Sequence, residues 1–145
     1  MSGLQAEYSS VNLIFYLELM GDFMTKEAGE KVRREVMGDE FVDRALHNVD
    51  ELTAPLQEYI NAHAWGSTWQ RDDLDRKTRS LVTLAMLTAQ KATTEIKGHT
   101  RGALRNGATK QEITAVFLHS APYCGAPTAQ EAFRAAKEVL DSWED

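Results

Sequence analysis

The stretch that decides the fold is Glu95-Ile-Lys-Gly-His99-Thr-Arg-Gly-Ala103-Leu-Arg-Asn-Gly107. On a helix, Glu95 and His99 are four residues apart, so their side chains lie on the same face. Asn106-Gly107 predicts the helix end, because glycine adopts the left-handed cap conformation without steric cost. A carboxylate beside an imidazole is a common acid–base unit. Most pairs at this spacing are nevertheless surface pairs, which stabilise a helix by about 0.2–0.5 kcal/mol.

Further motifs lie on both sides of this helix. They are His63-Ala-Trp65-Gly66, Asp75-Arg76-Lys-Thr78-Arg79-Ser80-Leu81, Thr109-xx-Glu112-Ile113 and Ser120-Ala-Pro-Tyr123-Cys124-Gly125. Together with His99-xxx-Ala103-xxx-Gly107, they resemble the 4-carboxymuconolactone decarboxylase branch of the AhpD-like superfamily, in unbroken order from about Glu27 to Trp143. The peroxidase branch carries a CxxC pair just upstream of the histidine. This chain has Ala92 and Glu95 there, and glutamate at the second position is typical of the decarboxylase branch.

The resemblance implies an all-α, AhpD-like helical fold that assembles as a homo-oligomer, either a trimer or a hexamer. The family-like domain covers residues 24–145. Residues 1–23 precede it and include the apolar run Val11-Asn-Leu-Ile-Phe-Tyr-Leu-Glu-Leu-Met20. This run is too short to span a bilayer, and no basic residue precedes it as in a signal peptide. We therefore expect an amphipathic helix that packs on the core or on another subunit.

The residue pattern of the remaining chain predicts consecutive helices. We expect helices over 26–37, 41–47, 51–64 and 74–90, then the Glu95/His99 helix opening at Thr94. Thr109-Lys-Gln-Glu112 has the spacing of a capping box and predicts a helix through Leu118. Residues 65–69 are predicted as a loop and 123–127 as a break, with Pro127 in the first turn of the last helix. Segment 74–90 is the most apolar and predicts a central core helix.

Composition restricts the classes of function. The chain has 145 residues, 43% of them hydrophobic, which suits one domain with one sizeable core. A net charge of −6 without a basic tract argues against nucleic-acid binding. Cys124 is the only cysteine, so an intramolecular disulfide is impossible, in agreement with a reducing, cytoplasmic compartment. We favour a packing role for its thiol over a nucleophilic one. The four histidines lack metal-ligand spacing.

The candidate site combines an acid–base pair with substrate-binding residues. The catalytic candidates are His99 and Glu95, and the substrate-binding candidates are Arg79, Arg76, His63, Trp65 and Tyr123. Each binding candidate also has a structural interpretation. These are a solvated face for the two arginines, with Arg79 the more buried, a helix C-terminal cap for His63, and packing for Trp65 and Tyr123.

The reaction implied by the resemblance is loss of CO2 from 4-carboxymuconolactone, which gives 3-oxoadipate enol-lactone in protocatechuate breakdown. The lactone carbonyl accepts the electrons left by CO2, so no cofactor is expected. The protein must hold an acetate arm, stabilise an oxyanion and deliver a proton to carbon. An arginine suits the first task and a fixed donor the second. An imidazole, with its ordinary pKa of about 6.5, suits the third.

Two other interpretations compete with the decarboxylase. A thiol-dependent peroxidase is disfavoured because the chain has no CxxC pair. A helical oligomer of the same family, inactive or acting on another substrate, is not distinguished by the sequence. Gly98 and Gly102 beside His99 either allow close helix packing or enlarge the pocket.

Overall fold

The computed structural model describes residues 25–144, and every regular element in this range is helical. The elements in chain order are α1 (Lys26–Met37), α2 (Asp39–His47), α3 (Ala54–Tyr59), a π-helical segment (Ile60–Thr68), α4 (Arg76–Ala89), α5 (Thr93–Arg105), α6 (Lys110–Cys124) and α7 (Ala126–Ser142). The predicted all-α class is confirmed over this range. The predicted N-terminal helix lies outside the described residues.

The described residues divide into two compact units. The first unit contains residues 25–33 and 46–71, and the second contains residues 34–45 and 72–144. Helices α1 and α2 contribute residues to both units, whereas helices α4 to α7 belong wholly to the second unit.

The second unit is built on packing among its four long helices. Helix α4 packs against α5 and α6, and α7 packs against the same two helices. The buried residues between them are Leu84, Ile96, Ala103, Leu104, Ala108, Ile113, Phe117, Ala132, Ala135, Ala136 and Val139. Five alanines in this core, three of them from α7, let the helix backbones approach closely. Phe117 meets Phe133 edge to face, with ring centroids 5.5 Å apart.

The turn between α5 and α6 follows the sequence signals closely. Gly107 has a φ of 87°, the left-handed conformation predicted for the helix stop. The capping box is complete: Glu112 N–H donates to Thr109 Oγ1 at 3.1 Å, and Thr109 N–H donates to Glu112 Oε2 at 2.8 Å. These local bonds fix where α6 begins.

The predicted loop over residues 65–69 is wrong. The chain continues from α3 through the π-helical segment, and Trp69 N–H donates to the Ala64 carbonyl at 3.1 Å, five residues back. Trp65 and Trp69 are buried and stack with ring centroids 4.9 Å apart. Gly66 marks a close backbone approach instead of a break, because a Cβ on Gly29 would lie 2.8 Å from its nitrogen.

Two predictions about the long helices also need correction. Helix α6 runs past Leu118 and Pro122 to Cys124 and ends at Gly125, which has a φ of 89°. Proline removes one helical N–H but leaves the following turn intact, since Gly125 N–H donates to the Ala121 carbonyl at 2.9 Å. Pro127 lies in the first turn of α7, as predicted.

Helix α4 is not the fully enclosed core helix that its apolar sequence suggested. Its buried residues are Ser80, Leu84 and Thr88. Val82 and Met86 are 46% and 52% exposed. The apolar residues of this helix cover more than one face, and the second unit encloses only one of them.

Candidate active site

Helix α5 carries both catalytic candidates, and they differ in exposure. His99 is half-buried in the middle of the helix, while Glu95 lies in its first turn and is exposed. The shared helix face therefore does not enclose Glu95 among the described residues. A carboxylate in the first turn is stabilised by the positive, N-terminal end of the helix dipole.

The glycines beside His99 allow close packing. A Cβ on Gly98 would lie 2.6 Å from Phe41 Cε2, and one on Gly102 would lie 2.8 Å from Met37 Sδ. Both glycines are buried. Of the two alternatives left open by the sequence, the structure supports close approach of neighbouring side chains over an enlarged pocket.

Arg76 and Arg79 lie in the first turn of α4, and Asp75 fixes where that helix starts. Asp75 Oδ1 accepts a hydrogen bond from Thr78 N–H at 2.9 Å, and Asp75 Oδ2 accepts one from Thr78 Oγ1 at 2.6 Å. The Thr78 hydroxyl, followed by its backbone N–H, holds the pKa of Asp75 below its ordinary value. This capping sets the starting direction of both arginine side chains.

The two arginines have different surroundings. Arg76 Nη2 pairs with Glu35 Oε2 at 2.6 Å, and both side chains are more than 40% exposed. An ion pair of this kind adds little to stability. Arg79 is only 11% exposed, as expected for the more buried of the two, and its Nη2 contacts Asp73 Oδ1 at 3.2 Å and the Leu74 carbonyl at 3.3 Å. Arg79 is therefore the better candidate for binding an anionic substrate.

Arg79 and His99 lie at different levels of the α4–α5 helix pair. Asn106 Nδ2 donates to Ser80 Oγ at 3.0 Å, so the start of α4 lies beside the end of α5. Seven residues separate Asn106 from His99, which corresponds to about 10 Å of helix rise. The proton donor and the anion-binding candidate are thus about two turns apart along the helix axis.

His63 and Trp65 belong to the π-helical segment of the first unit. His63 is exposed and contacts the Tyr59 ring with centroids 4.4 Å apart. The structural alternative for His63, a cap at a helix end, is wrong because the helical chain continues to Thr68. Trp65 is buried, in agreement with a packing role.

Tyr123 lies on α6 beside a large apolar groove. The groove lies between α4 and α6 and has a volume of about 910 Å³. Its lining includes Leu81, Val82, Ala85, Val116, Leu118 and His119. Tyr123 contacts the His119 ring with centroids 5.2 Å apart and is 77% exposed. Neither His99 nor Arg79 lines this groove, so it is separate from the catalytic candidates.

Residues 25–144 contain neither a candidate metal-binding group nor a candidate membrane span. No group of three or more histidine, cysteine, aspartate or glutamate residues is close enough to hold a metal ion. None of the helices there has the length and apolar character needed to cross a bilayer.

Arg33 is buried, which the sequence did not predict. Its Nη1 donates to Gln57 Oε1 at 3.0 Å and to Asn61 Oδ1 at 3.1 Å. Met37 and Phe41, which pack against the glycines of α5, were missed as well. No local signal distinguishes Arg33 from its basic neighbours Lys31 and Arg34, since only the folded chain shows which one is enclosed.

The sequence of this chain is similar to those of known proteins. Residues 54–138 match the model of the carboxymuconolactone decarboxylase family. Nitrosuccinic acid decarboxylase npaB of Metarhizium robertsii is 46% identical over 119 residues, which is 82% of this chain and 83% of that protein. The 4-carboxymuconolactone decarboxylase of Acinetobacter baylyi is 39% identical over 121 residues, which is 83% of this chain and 90% of that protein. The chain therefore belongs to the carboxymuconolactone decarboxylase family, whose two relatives named here are both decarboxylases.

Proposed function

We propose that this chain catalyses cofactor-independent decarboxylation of 4-carboxymuconolactone to 3-oxoadipate enol-lactone, a step of protocatechuate catabolism. The observation that carries the proposal is the 39% identity to the Acinetobacter baylyi enzyme over 83% of this chain. Glu95 and His99 on α5, and Gly107 after its end, lie within residues 54–138, which match the family model. The single cysteine supports a reducing, cytoplasmic location.

The substrate supplies its own electron sink in this reaction. The departing carboxylate is attached to a ring carbon that is conjugated to the lactone carbonyl. When the C–CO2 bond breaks, its electron pair moves into that carbonyl and gives a 2-oxyfuran anion. Protonation at carbon then yields the enol-lactone. The protein's tasks are to orient the substrate, stabilise the oxyanion and deliver one proton.

We assign proton delivery to His99 and binding of the remaining carboxylate to Arg79. His99 is half-buried at the middle of α5, so its ring is partly shielded from bulk water but not enclosed. Arg79 combines low exposure with a permanent positive charge. We assign to Glu95 the stabilisation of the protonated imidazole from the same face of α5. Arg76, His63, Trp65 and Tyr123 remain candidates for contacts with the rest of the substrate.

A second substrate is favoured by a specific observation, the 46% identity to a nitrosuccinic acid decarboxylase. In nitrosuccinate a nitro group takes the place of the lactone carbonyl as electron acceptor, so loss of the adjacent carboxylate gives a nitronate. A second carboxylate remains for an arginine to bind, and carbon again needs a proton. The same residues therefore suit both substrates.

A comparison of the two substrates in separate assays tests the proposal. Purified protein is assayed for CO2 release with 4-carboxymuconolactone and with nitrosuccinate under identical conditions, and kcat/KM is compared. We expect the lactone to have the higher kcat/KM. A higher value for nitrosuccinate would reassign the substrate. Absence of turnover with both would favour the alternative of a non-catalytic or altered-substrate oligomer.

We further propose that the chain forms a homo-oligomer, a trimer or hexamer, through the α4–α6 groove. The groove residues include Val82 and Leu118, which are 46% and 65% exposed, and none of the lining residues is an aspartate, glutamate, lysine or arginine. An uncharged apolar surface of this size on a chain with 26% charged residues is typical of a contact surface. Leu118 in the groove lining and Tyr123 beside the groove are 65% and 77% exposed, so one face offers large side chains next to the depression for a contact between identical chains.

A further inference from the structure

The turn between α1 and α2 fits one stripe of α5. The stripe consists of Gly98, Gly102 and Arg105, spaced at i, i+4 and i+7. Besides the contacts of Phe41 with Gly98 and of Met37 with Gly102, a Cβ on Gly38 would lie 3.2 Å from Arg105 Cζ. Gly38 has a φ of 90°, so the turn itself depends on glycine.

This packing is enclosed within the second unit and is too tight to slide. Met37 is 2% exposed, and Gly98 and Gly102 are both buried. The distances of 2.6 and 2.8 Å leave no room for a methyl group on either glycine. Rotation of α5 about its own axis would bring a neighbouring side chain into these contacts. The turn therefore fixes the rotation of the helix.

His99 lies directly beside this stripe. At about 100° per residue, Gly98 is about 100° and Gly102 about 60° from His99 around the helix axis, both on the same side. The direction of the His99 Cα–Cβ bond is thus set by the contacts of the two glycines. Neither Met37 nor Phe41 is required to touch the substrate for this effect.

We propose that Met37 and Phe41 are positioning residues for His99, acting through Gly98 and Gly102 of the α5 stripe. This inference rests on the proposed role of His99 as proton donor. Ordinary van der Waals contact begins at 3.4 Å, so alanine at position 98 must widen the 2.6 Å contact by about 0.8 Å. A displacement of this order near a reacting group lowers turnover by up to about 10²-fold.

The two glycines are expected to differ in sensitivity. Gly98 faces the ring edge of Phe41, which is rigid, whereas Gly102 faces the sulfur of the flexible Met37 side chain. Gly98→Ala should therefore lower kcat about 10- to 100-fold and Gly102→Ala less. KM should change by no more than about threefold in either variant, because binding of the carboxylate is assigned to Arg79.

The experiment uses the full chain in four forms: wild type, Gly98→Ala, Phe41→Leu and the Gly98→Ala/Phe41→Leu double variant. Leucine lacks the Cε and Cζ atoms that the new methyl group would meet. We measure kcat and KM with the substrate that the wild type turns over, the NMR resonances of the His99 ring across pH, and the melting temperature. Lys97→Ala, an exposed change on the same helix, is the control.

We expect Gly98→Ala to lower kcat and shift the His99 resonances, and the double variant to restore both to within a few-fold of the wild-type values. A Gly98→Ala variant that melts earlier but keeps kcat and the His99 resonances would overturn the proposal, as would a double variant that regains stability without regaining kcat. If the wild type turns over neither substrate, the proposed function fails, and the NMR comparison alone decides whether Phe41 positions His99.

Discussion

Helices α5 and α6 are neighbours along the chain, yet they use the surrounding protein in different ways. Helix α5 has 13 residues and buries six of them, including Ile96 and Leu104. Helix α6 has 15 residues and buries only Ile113, Phe117 and Ser120. Within residues 25–144, the packing of α5 is thus satisfied, whereas apolar surface of α6 stays uncovered. Changes on α5 should act at any protein concentration, whereas changes on the exposed face of α6 should act through association.

The largest effect is expected on α5. His99→Ala should lower kcat by about 10²–10⁴-fold, or about 3–5 kcal/mol of barrier, because general acid catalysis contributes an amount of this size. The measurement is steady-state kinetics with the preferred substrate, and His47→Ala, an exposed histidine on α2, serves as the control. A variant with near wild-type kcat would remove His99 from the mechanism, and α5 would then carry no proton donor.

The next effect is expected on the exposed face of α6. Leu118→Glu should weaken association by about 2–4 kcal/mol, since it would bury an unpaired charge in an apolar contact. Sedimentation across a range of protein concentrations measures this, with Gln111→Glu as a control that adds the same charge at an exposed position of α6 outside the groove. An unchanged oligomer would place the contact elsewhere.

Arg79→Ala tests whether α4 contributes to binding the substrate on which His99 of α5 acts. Loss of a charged hydrogen bond to the substrate should raise KM by roughly ten- to a hundredfold, about 1.5–3 kcal/mol. The matched control is Arg134→Ala, an exposed arginine of α7 that pairs with Glu131. If KM stays at the wild-type value, Arg79 has a structural role, which includes its contacts with Asp73 and Leu74.

A smaller effect is expected at the junction of the two helices. Thr109→Ala removes the hydroxyl that caps α6 and should lower the free energy of unfolding by about 1 kcal/mol. Because both hydrogen bonds of the cap form within one chain, the loss should not depend on protein concentration. Urea denaturation at two concentrations checks this, with Thr114→Ala, an exposed mid-helix change, as the control. A loss that grows on dilution would tie the cap to assembly.

The pH dependence of the free energy of unfolding should reflect Glu112, which belongs to the same capping box at the start of α6. The Thr109 N–H and then the Lys77 ammonium hold the pKa of Glu112 below its ordinary value of 4.5. A lowered pKa in the folded state means that this contribution is complete above pH 4.5 and is lost as pH falls towards the folded-state value. Glu112→Gln should therefore flatten the stability curve below pH 4.5. If the variant and the wild type lose stability equally below pH 4.5, other carboxylates cause the pH dependence.

Local signals account for what the sequence predicted well. The capping box at Thr109, the left-handed Gly107 and the position of Pro127 depend on residues within four positions of each other, so the sequence is sufficient. The exposure of Val82 and the burial of Arg33 depend on segments distant in the chain. The same holds for the glycines of α5. Their presence beside His99 was visible, but Phe41 and Met37 as their partners were not.

The π-helical segment has a consequence for tolerance of insertions and deletions. Its hydrogen bonds span five residues, as between Trp69 and Ala64, so residues 60–68 contain more chain per turn than an α-helix. Removing one residue would let the segment revert to four-residue spacing and rotate the following side chains by about 100°. The stacked pair of Trp65 and Trp69 would then lose its alignment. In evolution, this segment should accept substitutions far more readily than changes in length.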